Sequence, residues 1–142
     1  MSRVYIDTSA YLCLLLGEDG AAAIAADIAD VLARGDVCSS VLLVLEARRN
    51  LVRLAREGHL DAKKLDALLA RVTEDTSAFT LKDLSLDLCT DAALPAVTTP
   101  RSLDLAHLRT ALWFHRQRRL DRYVTRDEGQ RSAARELGLP VA

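Results

Sequence analysis

Four acidic residues, Asp7, Glu46, Asp104 and Asp127, stand in or beside apolar stretches spread over the whole chain. Asp7 closes Val4-Tyr5-Ile6, Glu46 breaks the run from Val41 to Leu45, Asp104 lies in Ser102-Leu103-Asp104-Leu105-Ala106, and Asp127 follows Tyr123-Val124-Thr125. Burying an ionised carboxylate is costly unless it is paired, so several gathered together imply a shared proton or a cation. The pattern is that of a divalent-metal site, since hard cations prefer oxygen ligands. Each residue alone has a plainer reading. Asp7 and Asp127 can cap helices, Asp104 can be favoured by a helix dipole, and Glu46 can pair with Arg49 or Arg53 along its own helix. Only the set argues for a joint role.

Positioning such a set requires strands and helices in alternation. Val4–Ile6 reads as a strand, Asp7-Thr8-Ser9 as a cap, and 10–16 as a helix ended by Gly17-Glu18-Asp19-Gly20. A second helix covers 21–33, with Ile24, Ile28, Val31 and Leu32 at helical spacing, and Val37-Cys38 is a short strand. Ser39-Ser40 can cap a largely buried helix from Val41 to about Arg56, and Asp61 can cap another over 62–73. Residues 78–81 read as a strand, and Asp83 opens a helix towards Ala93. A loop over 94–100 precedes a helix capped by Ser102, which puts Asp104 in its first turn. The strand 123–125, a helix from Asp127 to about Leu137 and an edge strand Leu139-Pro140-Val141 complete the chain. The predicted fold is α/β, with a short, mostly parallel sheet covered by helices on both faces. In such folds sites form beyond the carboxyl ends of strands, where Asp7 and Asp127 fall.

The length of 142 residues suits one domain, 1–142, that buries its own core. Half the residues are hydrophobic and 27% are charged, which excludes a disordered or fibrous chain. A net charge of -1 neither demands nor excludes nucleic acid, but segment 101–135 carries nine arginines against four acids, and arginines beside a groove can hold phosphates. Cys13, Cys38 and Cys89 read as small core residues in a reducing compartment. No leader pattern and no apolar run near the length of a membrane span is present, so the expected location is cytoplasmic, with no membrane partner.

Other groups have structural readings. Asp83, Asp87 and Asp91 recur at four-residue steps along one helix face, opposite Leu84, Leu88 and Cys89, and read as a solvated face. His107 reads as packed or hydrogen-bonded, His59 and His115 as surface residues, and Trp113-Phe114 as core or dimer packing in preference to a base-stacking platform.

Taken in order, the segments Val4-Tyr5-Ile6-Asp7-Thr8-Ser9, Ser39-Ser40-Val41 through Glu46-Ala47-Arg48-Arg49, Arg101-Ser102-Leu103-Asp104-Leu105-Ala106-His107-Leu108 and Tyr123-Val124-Thr125-Arg126-Asp127 resemble the PIN-domain family. Within it, the chain is similar to VapC-type ribonuclease toxins of toxin–antitoxin pairs. The resemblance implies a three-layer α/β/α PIN-like fold in which Asp7, Glu46, Asp104 and Asp127 hold one or two Mg²⁺ or Mn²⁺ ions, with Ser9 and Thr125 adding hydroxyls beside them. It further implies hydrolysis of RNA phosphodiester bonds by metal-activated water, a homodimer, and inhibition by a VapB-like antitoxin.

Two alternatives stand beside this reading. One is a catalytically inactive PIN-like module that binds RNA or acts as a protein scaffold. The other is an aspartyl-phosphate phosphatase with Asp7 as nucleophile, which needs an acid two residues on, where this chain has Ser9, and a lysine in a downstream region where none of its three, Lys63, Lys64 and Lys82, lies.

Overall fold

The computed structural model describes residues 2–94, 97 and 101–141. Its elements run β1 (Arg3–Ile6), α1 (Thr8–Leu16), α2 (Ala21–Arg34), β2 (Asp36–Ser40), α3 (Leu42–Arg56), α4 (Ala62–Ser77), β3 (Thr80–Lys82), α5 (Leu86–Thr90), α6 (Ser102–Gln117), β4 (Arg122–Val124) and α7 (Glu128–Glu136). The strands pair in the order β3-β2-β1-β4, and every pairing is parallel. The expected edge strand at 139–141 is reduced to one parallel bridge from Val141 to Tyr123.

Alternation along the strands divides the core into two. Val4 and Ile6 of β1, Val37 of β2 and Val124 of β4 turn to one face, where they pack with Ile28, Leu43, Leu51 and Val72 from α2, α3 and α4. Tyr5, Cys38 and Tyr123 turn to the other face and pack with Leu88, Leu108, Phe114 and Ala134 from α5, α6 and α7. This is the period-two signature of strands buried on both sides, and it produces the three-layer α/β/α architecture expected of a PIN-like fold. Tyr5 and Tyr123 stack across β1 and β4 with ring centroids 5.3 Å apart. Burying a side chain such as Leu43 or Leu51 completely contributes roughly 1.5–3 kcal/mol, so these few inward residues dominate the core's stability.

β1 lies centrally, with β2 and β4 as neighbours on opposite sides. The connection to β2 runs through α1 and α2 in one helical layer, and the return to β4 runs through α6 in the other. The chain therefore reverses its direction of travel across the sheet at the β1–β4 junction, which opens a crevice at the carboxyl ends of these strands. Gly17 ends α1 in the left-handed region (φ 64), where a Cβ would be strained.

Several local expectations are corrected. Ser39 and Ser40 are the last residues of β2; the Ser39 hydroxyl donates to the Ile6 carbonyl at 2.6 Å, while Ser40 Oγ accepts from the Leu42 amide. α3 is amphipathic and not largely buried, because Leu45 is 66% exposed and Val52 is also exposed. α4 runs one turn further than expected, to Ser77, which moves β3 to Thr80–Lys82. The cap at α5 is Ser85, not Asp83, and the helix spans only Leu86–Thr90, so Asp83, Asp87 and Asp91 share no helix face. α6 has Arg101 at its N-cap, with Ser102 as its first helical residue. Cys13 and Cys38 are buried as expected, but Cys89 is exposed. Most of the 94–100 loop lies outside the described residues.

Candidate metal-binding carboxylate site

Asp7 leaves the end of β1 directly into α1, and its carboxylate caps that helix by accepting the Ala10 amide at 2.9 Å. The cap is an ordinary consequence of a short acceptor at a helix N-terminus. Its remaining bonds are less ordinary. Ser9 Oγ donates to Oδ1 at 2.8 Å and also lies 3.0 Å from Oδ2, and Thr125 Oγ1 donates to Oδ2 at 2.6 Å. Asp7 is fully buried, and burial raises its carboxyl above the ordinary range although bonds from Thr125, Ala10 and Ser9 oppose this. Each of those bonding partners is neutral, so the buried negative charge lacks a bonded counter-charge.

Thr125 ties this group to the next. Its Oγ1 also accepts the Asp127 amide at 3.0 Å, while the Asp127 carboxylate caps α7 by accepting the Gln130 amide at 2.8 Å. Gln130 then bridges onward, its side-chain Nε2 donating to Asp104 Oδ1 at 2.9 Å. Asp104 stands in the first turn of α6, 4% exposed. Arg101 closes over it: Nε lies 2.9 Å from Oδ2 and Nη2 3.1 Å from Oδ1, and the same Nη2 reaches Asp127 Oδ2 at 3.5 Å.

Glu46, five residues into α3, enters from the other side. Its Oε1 accepts from Thr8 Oγ1 at 2.8 Å and from His107 Nε2 at 2.9 Å. The buried His107 ring is held in turn by Tyr5, whose hydroxyl lies 2.7 Å from Nδ1. Burial pushes the Tyr5 phenol well above its usual range, so Tyr5 keeps its proton and donates it to Nδ1, leaving Nε2–H to donate to Glu46. Burial works to raise the Glu46 carboxyl, but the hydrogen bonds from His107 and the Thr8 hydroxyl hold it below the usual range. Glu46 does not pair with Arg49 or Arg53; Arg53 bonds Glu57 and Asn50 instead.

The four acids named from sequence thus fall into two hydrogen-bonded groups beyond the carboxyl ends of the strands: Asp7, Asp104 and Asp127 are joined through Thr125 and Gln130, with Ser9 and Thr125 both touching Asp7, while Glu46 is held by His107 and by Thr8, the residue after Asp7. The first group also contains Gln130 and Arg101 and the second Thr8, which sequence reasoning did not single out, and the second links His107 to Glu46. Spacing carried part of the signal. His107 is one helical step from Asp104, Arg101 precedes Asp104 by three residues, and Asp127-Glu128-Gly129-Gln130 has the form of a cap followed three residues later by glutamine.

Several arginines of segment 101–135 are engaged within the fold. Arg109 is buried and donates to the carbonyls of Leu88 and Asp91, both at 2.7 Å, and of Leu94. Arg122 pairs with Asp27, Arg126 with Glu18 and Arg131 with Glu128.

The donor set is all oxygen, which suits Mg²⁺ or Mn²⁺, and Mg²⁺ takes only one or two carboxylates directly while keeping several waters. In donor chemistry the residues fit such an ion. Their present arrangement is different: among the described residues, no group of three or more acidic, histidine or cysteine side chains is placed to hold a metal by itself. The positive charge at Asp104 and Asp127 is the guanidinium of Arg101.

Fold and site together define a class: a three-layer α/β/α, PIN-like domain with acidic side chains gathered at the switch point of its parallel sheet. No family model and no curated protein matches the sequence. Among solved structures, the chain is similar to one described as VapBC2 from Rickettsia felis bound to a DNA fragment from their promoter, with a TM-score of 0.62 over 99% of this chain and 97% of that chain at 11% identity. At that identity the likeness is one of fold. No described helix is long and apolar enough to cross a membrane.

Proposed function

We propose that this chain is a Mg²⁺- or Mn²⁺-dependent endoribonuclease acting as the toxin of a toxin–antitoxin pair. The observation that carries the proposal is the network joining Asp7, Asp104 and Asp127, with Glu46 anchored by Thr8 next to Asp7, at the switch point of a fold shared with a VapBC2 structure. When bound, a divalent cation supplies Lewis-acid charge at a phosphate and lowers the pKa of water. The protein's part is to hold the oxygens. Ser9 and Thr125 fix both oxygens of Asp7, Gln130 orients Asp104, and Thr8 with His107 fixes Glu46 by Oε1. Glu46 Oε2 makes no hydrogen bond to the described residues and is available to orient a water. RNA is the substrate in this reading, a VapB-like antitoxin the inhibitory partner, and a homodimer the functional unit.

The test is cleavage of single-stranded or looped RNA by the purified chain. Products ending in 5′ phosphate and 3′ hydroxyl are expected with Mg²⁺ or Mn²⁺, and none with EDTA or in a folded Asp7→Asn variant. Cleavage that survives both would overturn the proposal. A second reading, an inactive PIN-like module that binds RNA or protein, is favoured by one observation, the arginine seated on two of the carboxylates. Such a module would show neither cleavage nor thermal stabilisation by Mn²⁺.

A further inference from the structure

Among the described residues the carboxylates form no ready-made cage, and the chain supplies a cation of its own. Arg101 makes a two-point contact with Asp104, extends to Asp127, and its charge acts on Glu46 as well. Burial divides the partners unequally: the Arg101 side chain is 66% exposed, whereas that of Asp104 is 6% exposed. The guanidinium therefore approaches from solvent over carboxylates rooted in the protein. Planar two-point geometry makes the contact specific, and solvent exposure makes it readily reversible. An arginine bonded to both oxygens of Asp104 and a divalent ion liganded by Asp104 crowd the same two oxygens as like charges.

We propose that Arg101 is the resident counter-ion of the metal-free site, and that Arg101 and the divalent cation occupy the carboxylates of Asp104 and Asp127 in exchange for one another. This rests on the reading of those carboxylates as cation ligands. The exchange explains how acids placed to receive a metal remain compatible with a folded chain before it arrives. It also sets the site's affinity, because the ion must displace the guanidinium.

Titration calorimetry with Mn²⁺ alone, on the full chain and on Arg101→Met, tests the proposal. The variant is expected to bind Mn²⁺ roughly five- to tenfold more tightly than the parent, the range set by losing one competing ion pair. Arg101→Lys, which keeps the charge without the two-point contact, is expected to fall between them, and it serves alone if Arg101→Met does not fold. Addition of diamagnetic Mg²⁺ to the parent should shift the Arg101 Nε–H resonance. Equal or weaker binding by the variants, with Mn²⁺ still bound by the parent, would overturn the exchange and leave the cation site standing. Absence of Mn²⁺ binding in parent and variants alike would overturn both.

Discussion

The beginning and the middle of α6 each carry an arginine that bonds a neighbouring segment, and burial sets them apart. Arg109 is 9% exposed and gives its donors to three backbone carbonyls from α5 and the turn after it. Arg101 is mostly exposed and gives its donors to carboxylates. The first ties down the main chain of α5 and the turn after it, while the second balances the charge of carboxylates. Residue type and helix are shared, so the difference in role comes from solvent access and the charge of the partner.

The strongest challenge to this contrast is Arg109→Met. Removing a buried donor set leaves carbonyls unpaired at about 1–3 kcal/mol for each such group, so a loss of roughly 2–4 kcal/mol in denaturant unfolding is expected. A loss below 1 kcal/mol would reduce Arg109 to an ordinary surface arginine. Next in size is Thr125→Val, which leaves Asp7 without its shortest hydrogen bond, at the carboxylate that neither arginine bonds. Loss of such a supporting contact typically costs about 10–100-fold in metal affinity or activity. An unchanged Mn²⁺ affinity would show that Asp7 needs no help from Thr125.

Asp7 and Glu46 give a comparison of opposite sign. The raised carboxyl of Asp7 means that the unfolded chain, near 3.9, releases this proton first, so the folded state loses stability as pH climbs through the folded value. Melting in EDTA should show Asp7→Asn gaining on the parent as pH rises from the ordinary aspartate range through the raised folded value. Glu46, held low, contributes stability that is complete above its unfolded value and lost as pH falls through its folded value, so Glu46→Gln should lose ground as pH rises towards the ordinary glutamate range and stay level above it. Parallel curves for the two variants would mean that burial and His107 do not set these protons.

Arg101→Met should change metal-free stability by only about 1 kcal/mol, as expected for an exposed pair. The smallest effect is local. Cys89 is exposed, whereas burial and the nearby Asp36 push the Cys38 thiol up to about 12, and Cys13 is buried. A thiol-reactive spin label should therefore attach at Cys89 alone in the native protein. Its mobility on α5 should rise with Arg109→Met and stay fixed with Arg101→Met.

Much of the fold was legible because local chemistry and tertiary structure agree. Val4–Ile6 ending at Asp7 reads as a strand entering a cap, and Asp61 and Asp127 cap α4 and α7 as their positions suggest. The failures have equally local causes. Val41–Leu45 is a continuous apolar run, and nothing in it marks Leu45 as the residue left in solvent. Asp83 is as good a cap by type as Ser85, and Ser85 takes the role because its Oγ accepts the Leu88 amide. At the site, residue types and the end-of-strand rule pointed to the acids, but partners distant in sequence were hidden. Arg49 and Arg53 are one helical turn or two from Glu46, yet the bond goes to His107, 61 residues away.

The side-to-side alternation of β1 makes that strand a ruler for the acid that follows it. Val4 and Ile6 belong to one hydrophobic compartment and Tyr5 to the other, so the strand is gripped from above and below within three residues. Deleting or inserting one residue there would exchange the compartments, driving a phenol among aliphatic side chains and turning the next carboxylate through half a revolution. Mutational drift in either compartment is thus constrained by the position of a single oxygen pair at the strand's tip.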